Sequence, residues 1–373
     1  MQSNYQYAKT DQMVFFYDTE VYAGNVLATG AAATMSEQGV SRMFSSIRVS
    51  MGSTLLEEFK LDEVSGQFYS TIGRKAGKFL TLLEGFAAED CLAATGKGTF
   101  GLRLMTSLLY SMVALPLPIL AGFNIELVLA DVSNTFLSNA ATEVVIRNPY
   151  IRYLAISPDT SYTLALQKLI ASGGSIFLPA IRHRTFLGNG LGSDIIDQTV
   201  SLGQYESIDS VSVTFWNAPA YRNRTNDKFS RYKYHGLKGW SITAADIVNP
   251  KERLFRCGPS DACLETLLVT LMSSAGSLNN IDDYAELRGE TREEIFDNYL
   301  NKFFKFGLNY TSANEAHGSG VDLTNAATTQ AVVHMEFDGV KDVDLQIAVS
   351  VTASVWIEIN SYIPIVHTIR PNA

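Results

Sequence analysis

Apolar and polar positions alternate most regularly near the C-terminus. Between residues 343 and 359 every odd position is apolar, and most even positions are polar. A repeat of two residues is typical of a half-buried β-strand, because successive side chains point to opposite faces of a sheet. The dipeptide Asp338-Gly339 stands just before this run and is favoured in two-residue hairpin turns. The pattern predicts a hairpin there, then a long strand that has Asp342 and Asp344 on one side.

Shorter apolar runs predict further strands. They are rich in β-branched and aromatic residues, and they cover residues 46–50, 124–129, 150–156, 175–178 and 210–216. Helical segments do not separate these runs often enough for a regular parallel α/β sheet. We therefore expect a mainly β, antiparallel architecture.

Three segments have the pattern of helices. Thr291 and Glu294 match a capping box, in which each side chain accepts a hydrogen bond from the other residue's amide, and an apolar helical face follows. Leucines at helical spacing predict a second helix over residues 261–276, and a third is predicted over residues 161–173. These are the few helices expected beside the strands.

Length and turn signals predict two domains. A chain of 373 residues is enough for about two domains at ~150 residues each. The Ser157-Pro158-Asp159 turn supplies the boundary, so the predicted domains are residues 1–157 and residues 158–373.

An uncharged run at residues 104–125 is long enough to cross a bilayer. Pro116 and Pro118 argue against a membrane helix, because each removes a helical hydrogen bond that lipid cannot replace. The run is interpreted as extended chain in a protein core. The N-terminal residues lack a basic stretch followed by an apolar one, so no cleaved secretory signal is expected.

Composition narrows the function classes. Hydrophobic residues make up 46% of the chain and charged residues 18%, which excludes disorder over most of its length. The formal net charge of −9 repels phosphate, so a nucleic-acid contact would need a local basic patch. Three cysteines are too few for a disulfide framework, which favours a reducing compartment.

One segment has the local charge that such a patch requires. Residues 221–240 contain six basic residues and one acidic residue, interleaved with aromatic rings. Basic groups neutralise phosphates and rings stack on bases, so the segment suits single-stranded nucleic acid. A contact between subunits, or a solvated tyrosine-rich loop, is the preferred alternative. The candidate contact residues are Arg222, Arg224, Lys228, Arg231, Tyr232, Lys233 and Tyr234.

No motif specifies catalysis, a metal or a cofactor. Residues 96–101 match G-x-G-x-x-G, but no buried strand precedes them as a dinucleotide-binding loop requires, so a flexible glycine loop is expected. The five histidines lack metal-ligand spacing. The acidic residues between 282 and 297 are interpreted as solvated surface and as the first turn of the capped helix.

The order of segments resembles the double jelly-roll major capsid proteins of icosahedral viruses and phages. Four passages carry the likeness: residues 42–59 (RMFSSIRVSMGSTLLEEF), residues 102–130 with their leucine-proline-leucine before a strand, residues 209–218 (DSVSVTFWNA), and residues 319–359. The resemblance implies a mainly β fold of two side-by-side antiparallel eight-stranded jelly rolls with a few loop helices.

The resemblance also implies a structural function. Three copies would form a pseudo-hexagonal capsomer that tiles an icosahedral shell around the genome, in a virion assembled inside the host cell. The implied partners are the chain itself as a homotrimer, neighbouring capsomers, minor capsid and penton proteins, and an internal membrane or the genome on the inner face. No enzymatic activity and no cofactor are implied. A carbohydrate- or receptor-binding β-sandwich is the alternative, since fold does not fix function. A β-sandwich glycosidase ranks third, because no facing pair of carboxylates can be assigned.

Overall fold

The computed structural model describes most of the chain. The described residues are 7–34, 43–60, 91–104, 106, 108–109, 114–117, 120, 122–132, 135–136, 140–217, 233–273, 291–302, 304–311, 320–360 and 363–368. Strands predominate among them, helices are few, and the strand pairs are antiparallel. The predicted mainly β architecture is confirmed.

Contacts divide the chain into two compact units. Unit 1 contains the described residues of Met1–Ser65, Ala76–Arg182 and Val355–Ala373, and unit 2 contains those of His183–Ser354. Unit 1 is therefore discontinuous, because the C-terminal segment belongs with the N-terminal part. The predicted domains, 1–157 and 158–373, divide the chain at another position and stay a prediction.

Among the described residues, unit 1 contains two whole sheets and one end of a third. Its strands are β1 (Tyr7–Ala23), β2 (Val26–Leu27), β3 (Phe44–Met51), β4 (Thr54–Lys60), β5 (Lys97–Arg103), β6 (Phe123–Leu129), β7 (Glu143–Ile156) and the first half of β8 (Ser175–Asn189). Its helices are α1 (Cys91–Thr95) and α2 (Thr160–Ala171). β1 pairs with β2, β5 and β7, while β3 pairs with β4 and β6. Tyr17, Phe44 and Phe100 are buried in its core, where the rings of Tyr17 and Phe44 meet edge-on at 5.6 Å.

Unit 2 contains most of the later strands. After β8 come β9 (Ser193–Ser201), β10 (Ser207–Asn217), β11 (Leu237–Ala244), β12 (Ile247–Asn249), β13 (Phe255–Arg256), β14 (Phe306–Asn309), β15 (Val321–Asp322), β16 (Gln330–Lys341) and the first part of β17 (Leu345–Asn360). The helices are α3 (Leu264–Ser273) and α4 (Arg292–Lys302), and β18 (Ile363–His367) returns to unit 1.

The pairing in unit 2 is nested. β8 pairs with β17, β9 with β16, β10 with β14 and β15, and β11 with β12 and β13. β17 also pairs with β10, and β16 also pairs with β11, so the nested pairs form two sheets. If β12 and β13 count as one position, and β14 and β15 as another, the unit has eight strand positions. The first position pairs with the last and the second with the seventh, which is the topology of a jelly roll. The expected eight-stranded jelly roll is confirmed in this unit.

The core of unit 2 lies between its two sheets. Alternate side chains of β17 point inward, which explains the period of two in the sequence. Trp240, Phe215, Phe304 and Phe306 form a buried aromatic cluster, with Trp240 and Phe306 centred 4.7 Å apart. The indole nitrogen of Trp240 donates to Thr266 Oγ1 at 2.9 Å, so this large side chain is buried with its polar atom paired.

The predicted hairpin at Asp338-Gly339 is wrong. β16 continues through both residues to Lys341, and the chain turns at residues 342–344. The Asp342 carboxylate accepts a hydrogen bond from the amide of Asp344 at 3.1 Å, which stabilises the turn locally. The strands on either side belong to different sheets, so this turn joins the two layers. Asp342 and Asp344 therefore lie in a turn, and not on one side of a strand.

Two other expectations need correction. Residues 97–101 of the glycine motif form the first part of β5, so the motif is not a flexible loop. Gly96 adopts a positive φ of 70°, and a Cβ there would lie 2.5 Å from the carbonyl oxygen of Ala28, so only glycine fits.

In residues 104–125, extended pairing is described at Leu115 and from Phe123 onward, whereas Leu108 and Leu109 are helical. Among the residues described, no helix combines the length and the apolar character needed to span a membrane.

Candidate functional surfaces

The predicted contact segment is described only at its C-terminal end. Residues 218–232, and with them Arg222, Arg224, Lys228, Arg231 and Tyr232, lie outside the described residues. Lys233 is exposed. Tyr234 is partly buried: its amide donates to the carbonyl oxygen of Leu300 at 2.9 Å, and its ring meets Phe304 edge-on at 6.2 Å. Burial raises the pKa of Tyr234, and the Asp338 carboxylate contributes. Tyr234 thus anchors the end of the segment to unit 2.

Both ends of this segment lie at one end of the unit 2 sandwich. Asn217, the last residue of β10, is paired with Leu345, the first residue of β17. On the other side, the carbonyl oxygen of Gly236 accepts a hydrogen bond from the amide of Asp338 at 2.8 Å. The segment therefore leaves and rejoins the fold beside the turn that connects β16 to β17.

A second turn is held against the first. The amide of Gly190 donates to the carbonyl oxygen of Leu345 at 2.8 Å, and the amide of Gly192 donates to that of Lys341 at 2.9 Å. A Cβ at Gly190 would collide with the carbonyl oxygen of Asp342, so the close approach requires glycine. The turn between β8 and β9 is thereby fixed to the turn between β16 and β17.

The paired turns and the end of β16 expose three large aliphatic side chains. Leu191 is 74% exposed, and Val340 and Val343 are each 67% exposed. We call these three residues the apolar tip. Leu187 and Ile195, on the strands that lead into the first turn, are exposed as well. Large aliphatic side chains grouped on a solvent-exposed protein surface are typical of an interaction site.

The rim of the apolar tip is acidic. Asp194, Asp342 and Asp344 are exposed. Asp338 and Lys341 neutralise each other in an ion pair of 3.0 Å. The apolar tip therefore combines aliphatic groups with a net negative charge.

Sequence reasoning missed this surface. The alternation over residues 343–359 assigned Val343 to the inward face of a strand, whereas it lies in the turn. The available signal was the glycine spacing around Leu191, in Gly190-Leu191-Gly192, which places an aliphatic residue where only a turn is expected.

Unit 1 has an apolar surface of its own. β7 pairs with β1 and with no other strand among the residues described, so it forms an edge of its sheet. Large apolar side chains are exposed on β7 and on α2, which follows it: Tyr150, Leu154, Ile156, Tyr162, Leu164 and Leu169. Pro149 lies within β7, and a proline on an edge strand limits uncontrolled pairing with other chains.

One polar cluster among the described residues joins Ser175, Glu358 and His367. The Glu358 carboxylate accepts a hydrogen bond from Ser175 Oγ at 2.5 Å and lies 2.6 Å from His367 Nε2. The hydroxyl is bonded to the carboxylate and not to the imidazole, so this arrangement does not activate the serine as a nucleophile. These hydrogen bonds lower the pKa of Glu358, that from Ser175 most. Within the described residues, no three His, Cys, Asp or Glu side chains are grouped to hold a metal ion.

Comparison with solved structures identifies the fold. The crystal structure of PBCV-1 VP54, fitted into a reconstruction of the virophage Sputnik, matches with a TM-score of 0.65 at 8% identity, covering 100% of this chain and 92% of that chain. The quasi-atomic PBCV-1 virus capsid matches with a TM-score of 0.60 at 7% identity, covering 100% and 91%. The Faustovirus major capsid protein matches with a TM-score of 0.52 at 8% identity, covering 95% and 80%.

These structures are double jelly-roll capsid proteins, so the likeness establishes a double jelly-roll fold for this chain. No protein-family model matches the sequence. No curated protein sequence matches it either.

Proposed function

We propose that this chain is the major capsid protein of an icosahedral virus. The observation that supports the proposal most is the match of the whole chain to the PBCV-1 structures, over 100% of its residues. A fold alone hosts many functions. Here, however, both jelly rolls are matched together, and the similar structures reported above are capsid proteins.

In this proposal the chain has a structural role, without a cofactor or a reaction. It acts in the virion, where three copies form a capsomer and capsomers contact one another in the shell. The exposed apolar side chains of β7, α2 and the apolar tip support association, because obligate interfaces bury more apolar surface than an average protein exterior. Minor capsid and penton proteins, and the genome or a membrane on the inner face, are its further partners.

The seven candidate residues of the segment at 222–234 contribute to contacts between copies. Exposed Lys233 and anchored Tyr234 support this role, since the anchor fixes where the segment rejoins unit 2. The overall charge of −9 favours a protein partner over nucleic acid for an isolated basic segment.

Sedimentation velocity of the purified chain tests the proposal. We expect a trimer or a larger species over a wide concentration range, and shell fragments or particles in electron micrographs. A monomer at every concentration would contradict it. Saturable binding on a glycan array by that monomer would support the alternative, a carbohydrate- or receptor-binding β-sandwich.

A further inference from the structure

The apolar tip has the properties of a docking site. Its side chains are exposed within their own chain, although removing apolar surface from water is favourable. Two backbone hydrogen bonds between the turns hold it in place, so binding would order little that is not already ordered. A rigid, exposed apolar group of this kind indicates a partner.

We propose that the partner is the basic, tyrosine-rich segment of residues 221–234 in a neighbouring copy of this chain. This inference rests on the proposed function, because it requires copies to associate. It goes further in naming the two surfaces that meet: the apolar tip of one copy and the segment of the next.

Charge complementarity favours this segment as the partner of the apolar tip. The exposed carboxylates of Asp194, Asp342 and Asp344 surround the apolar tip. They disfavour an anionic membrane surface or nucleic acid and favour a cationic partner. Residues 221–234 contain five basic residues and one acidic residue, together with four aromatic residues. Aromatic rings can cover the aliphatic side chains while the basic groups pair with the rim.

Position within the fold supports a contact between copies. Asn217 is paired with Leu345, so the segment starts at the same end of unit 2 as the apolar tip. In an assembly with rotational symmetry, equivalent points of all copies lie at the same height along the axis, so two surfaces at the same end of unit 2 can meet between neighbouring copies. Two different surfaces that meet in this manner form a head-to-tail contact, which closes into a ring.

Charge reversal tests the contact in the full-length chain. The first variant, Asp194→Lys/Asp344→Lys, makes the rim basic and keeps Asp342, whose carboxylate stabilises the turn. The second variant, Arg222→Glu/Arg224→Glu, makes the segment less basic. We expect each variant alone to associate at least tenfold more weakly than the unaltered chain, as measured by sedimentation equilibrium. An equimolar mixture should recover part of the association, because the acidic rim of the second variant then meets the basic segment of the first.

Glu252→Lys/Glu293→Lys is the matched control for the first variant. It makes the same change in net charge at two exposed positions outside the apolar tip, β7, α2 and the segment, and it should associate like the unaltered chain. Circular dichroism confirms that each variant is folded. Unaltered association of both test variants, or no recovery in the mixture, would overturn this contact while leaving the proposed function intact. A monomeric unaltered chain would instead overturn the proposed function itself.

Discussion

At the scale of single residues, the buried carboxyl group of Asp209 is a source of pH dependence. Asp209 is 5% exposed, and its two oxygens accept hydrogen bonds from Ser354 Oγ at 3.1 and 3.0 Å. Burial raises its pKa to about 7, although the Ser354 hydrogen bond opposes the shift. Between about pH 4 and pH 7, the carboxyl group of Asp209 is therefore protonated in the folded state and ionised in the unfolded state. The stability contributed by this group is fully present below the unfolded pKa, near 4, and is lost as the pH rises through about 7.

Asp209→Asn should remove this pH dependence. The amide has nearly the same shape and stays neutral, so we expect the variant to be more stable than the unaltered chain at pH 8 by a few kcal/mol, and the difference to shrink toward zero near pH 4. Urea denaturation at several pH values measures it. Glu252→Gln removes an exposed carboxylate and should show no such trend. A difference independent of pH would contradict the assignment.

The burial of Asp209 was beyond sequence reasoning. Alternation predicts that only one of Ile208 and Asp209 faces the core, yet both are buried. The register of β10 against β17 shifts between Ile208 and Ser210, and this bulge turns Asp209 inward. Bulges depend on the partner strand, which lies more than a hundred residues away in the sequence.

At the scale of elements, glycine controls the packing beside β10. A Cβ at Gly307 in β14 would collide with the carbonyl oxygen of Val211, and one at Gly320, just before β15, with that of Ile208. Gly307→Ala should therefore separate β14 from β10 and cost about 1–3 kcal/mol, as overpacking does. Chemical denaturation measures the cost.

Gly339→Ala is the matched control for Gly307→Ala. Gly339 is also in a strand, but nothing lies within 4 Å of the position its Cβ would occupy. This substitution should be neutral or slightly stabilising, because alanine restricts the unfolded chain more than glycine does. Equal losses from both substitutions would mean that backbone preference, and not the approach of β14 to β10, requires glycine at position 307.

The sequence predicted features that depend on neighbouring residues well, but it did not predict features that depend on distant strand partners. The capping box of α4 is confirmed: the amide of Glu294 donates to Thr291 Oγ1, and the amide of Thr291 donates to the Glu294 carboxylate, both at 3.2 Å. All of its atoms lie within four residues, so the sequence contains the whole motif. The hairpin prediction failed at Asp338-Gly339 because β16 pairs with β9, and β17 pairs with β10, in two different sheets, and these partners are distant in the sequence. The apolar tip was missed for the same reason.

At the scale of the whole molecule, the nested pairing of unit 2 is contained in one continuous segment. Three of the four nested pairs lie wholly within residues 183–354, and so do the second half of β8 and the first part of β17, which form the fourth pair. The order of sequence passages predicted the double jelly roll through resemblance, since each passage alone has only the pattern of a strand. What stabilises the unit is the set of long-range pairs that the fold creates from those strands.

A fragment of residues 183–354 should therefore fold by itself. It keeps Trp240, which is fully buried against Phe255 and Phe306, so its fluorescence should be blue-shifted and should move to the red in one cooperative transition with urea. A fragment of residues 183–344 is the matched control. It lacks β17, the strand that pairs with both β8 and β10, and without it one sheet loses its central strand. We expect that shorter fragment to remain unfolded. A cooperative transition in both fragments would show that β17 does not close the sandwich, and no transition in either would mean that unit 2 depends on the remainder of the chain for its stability.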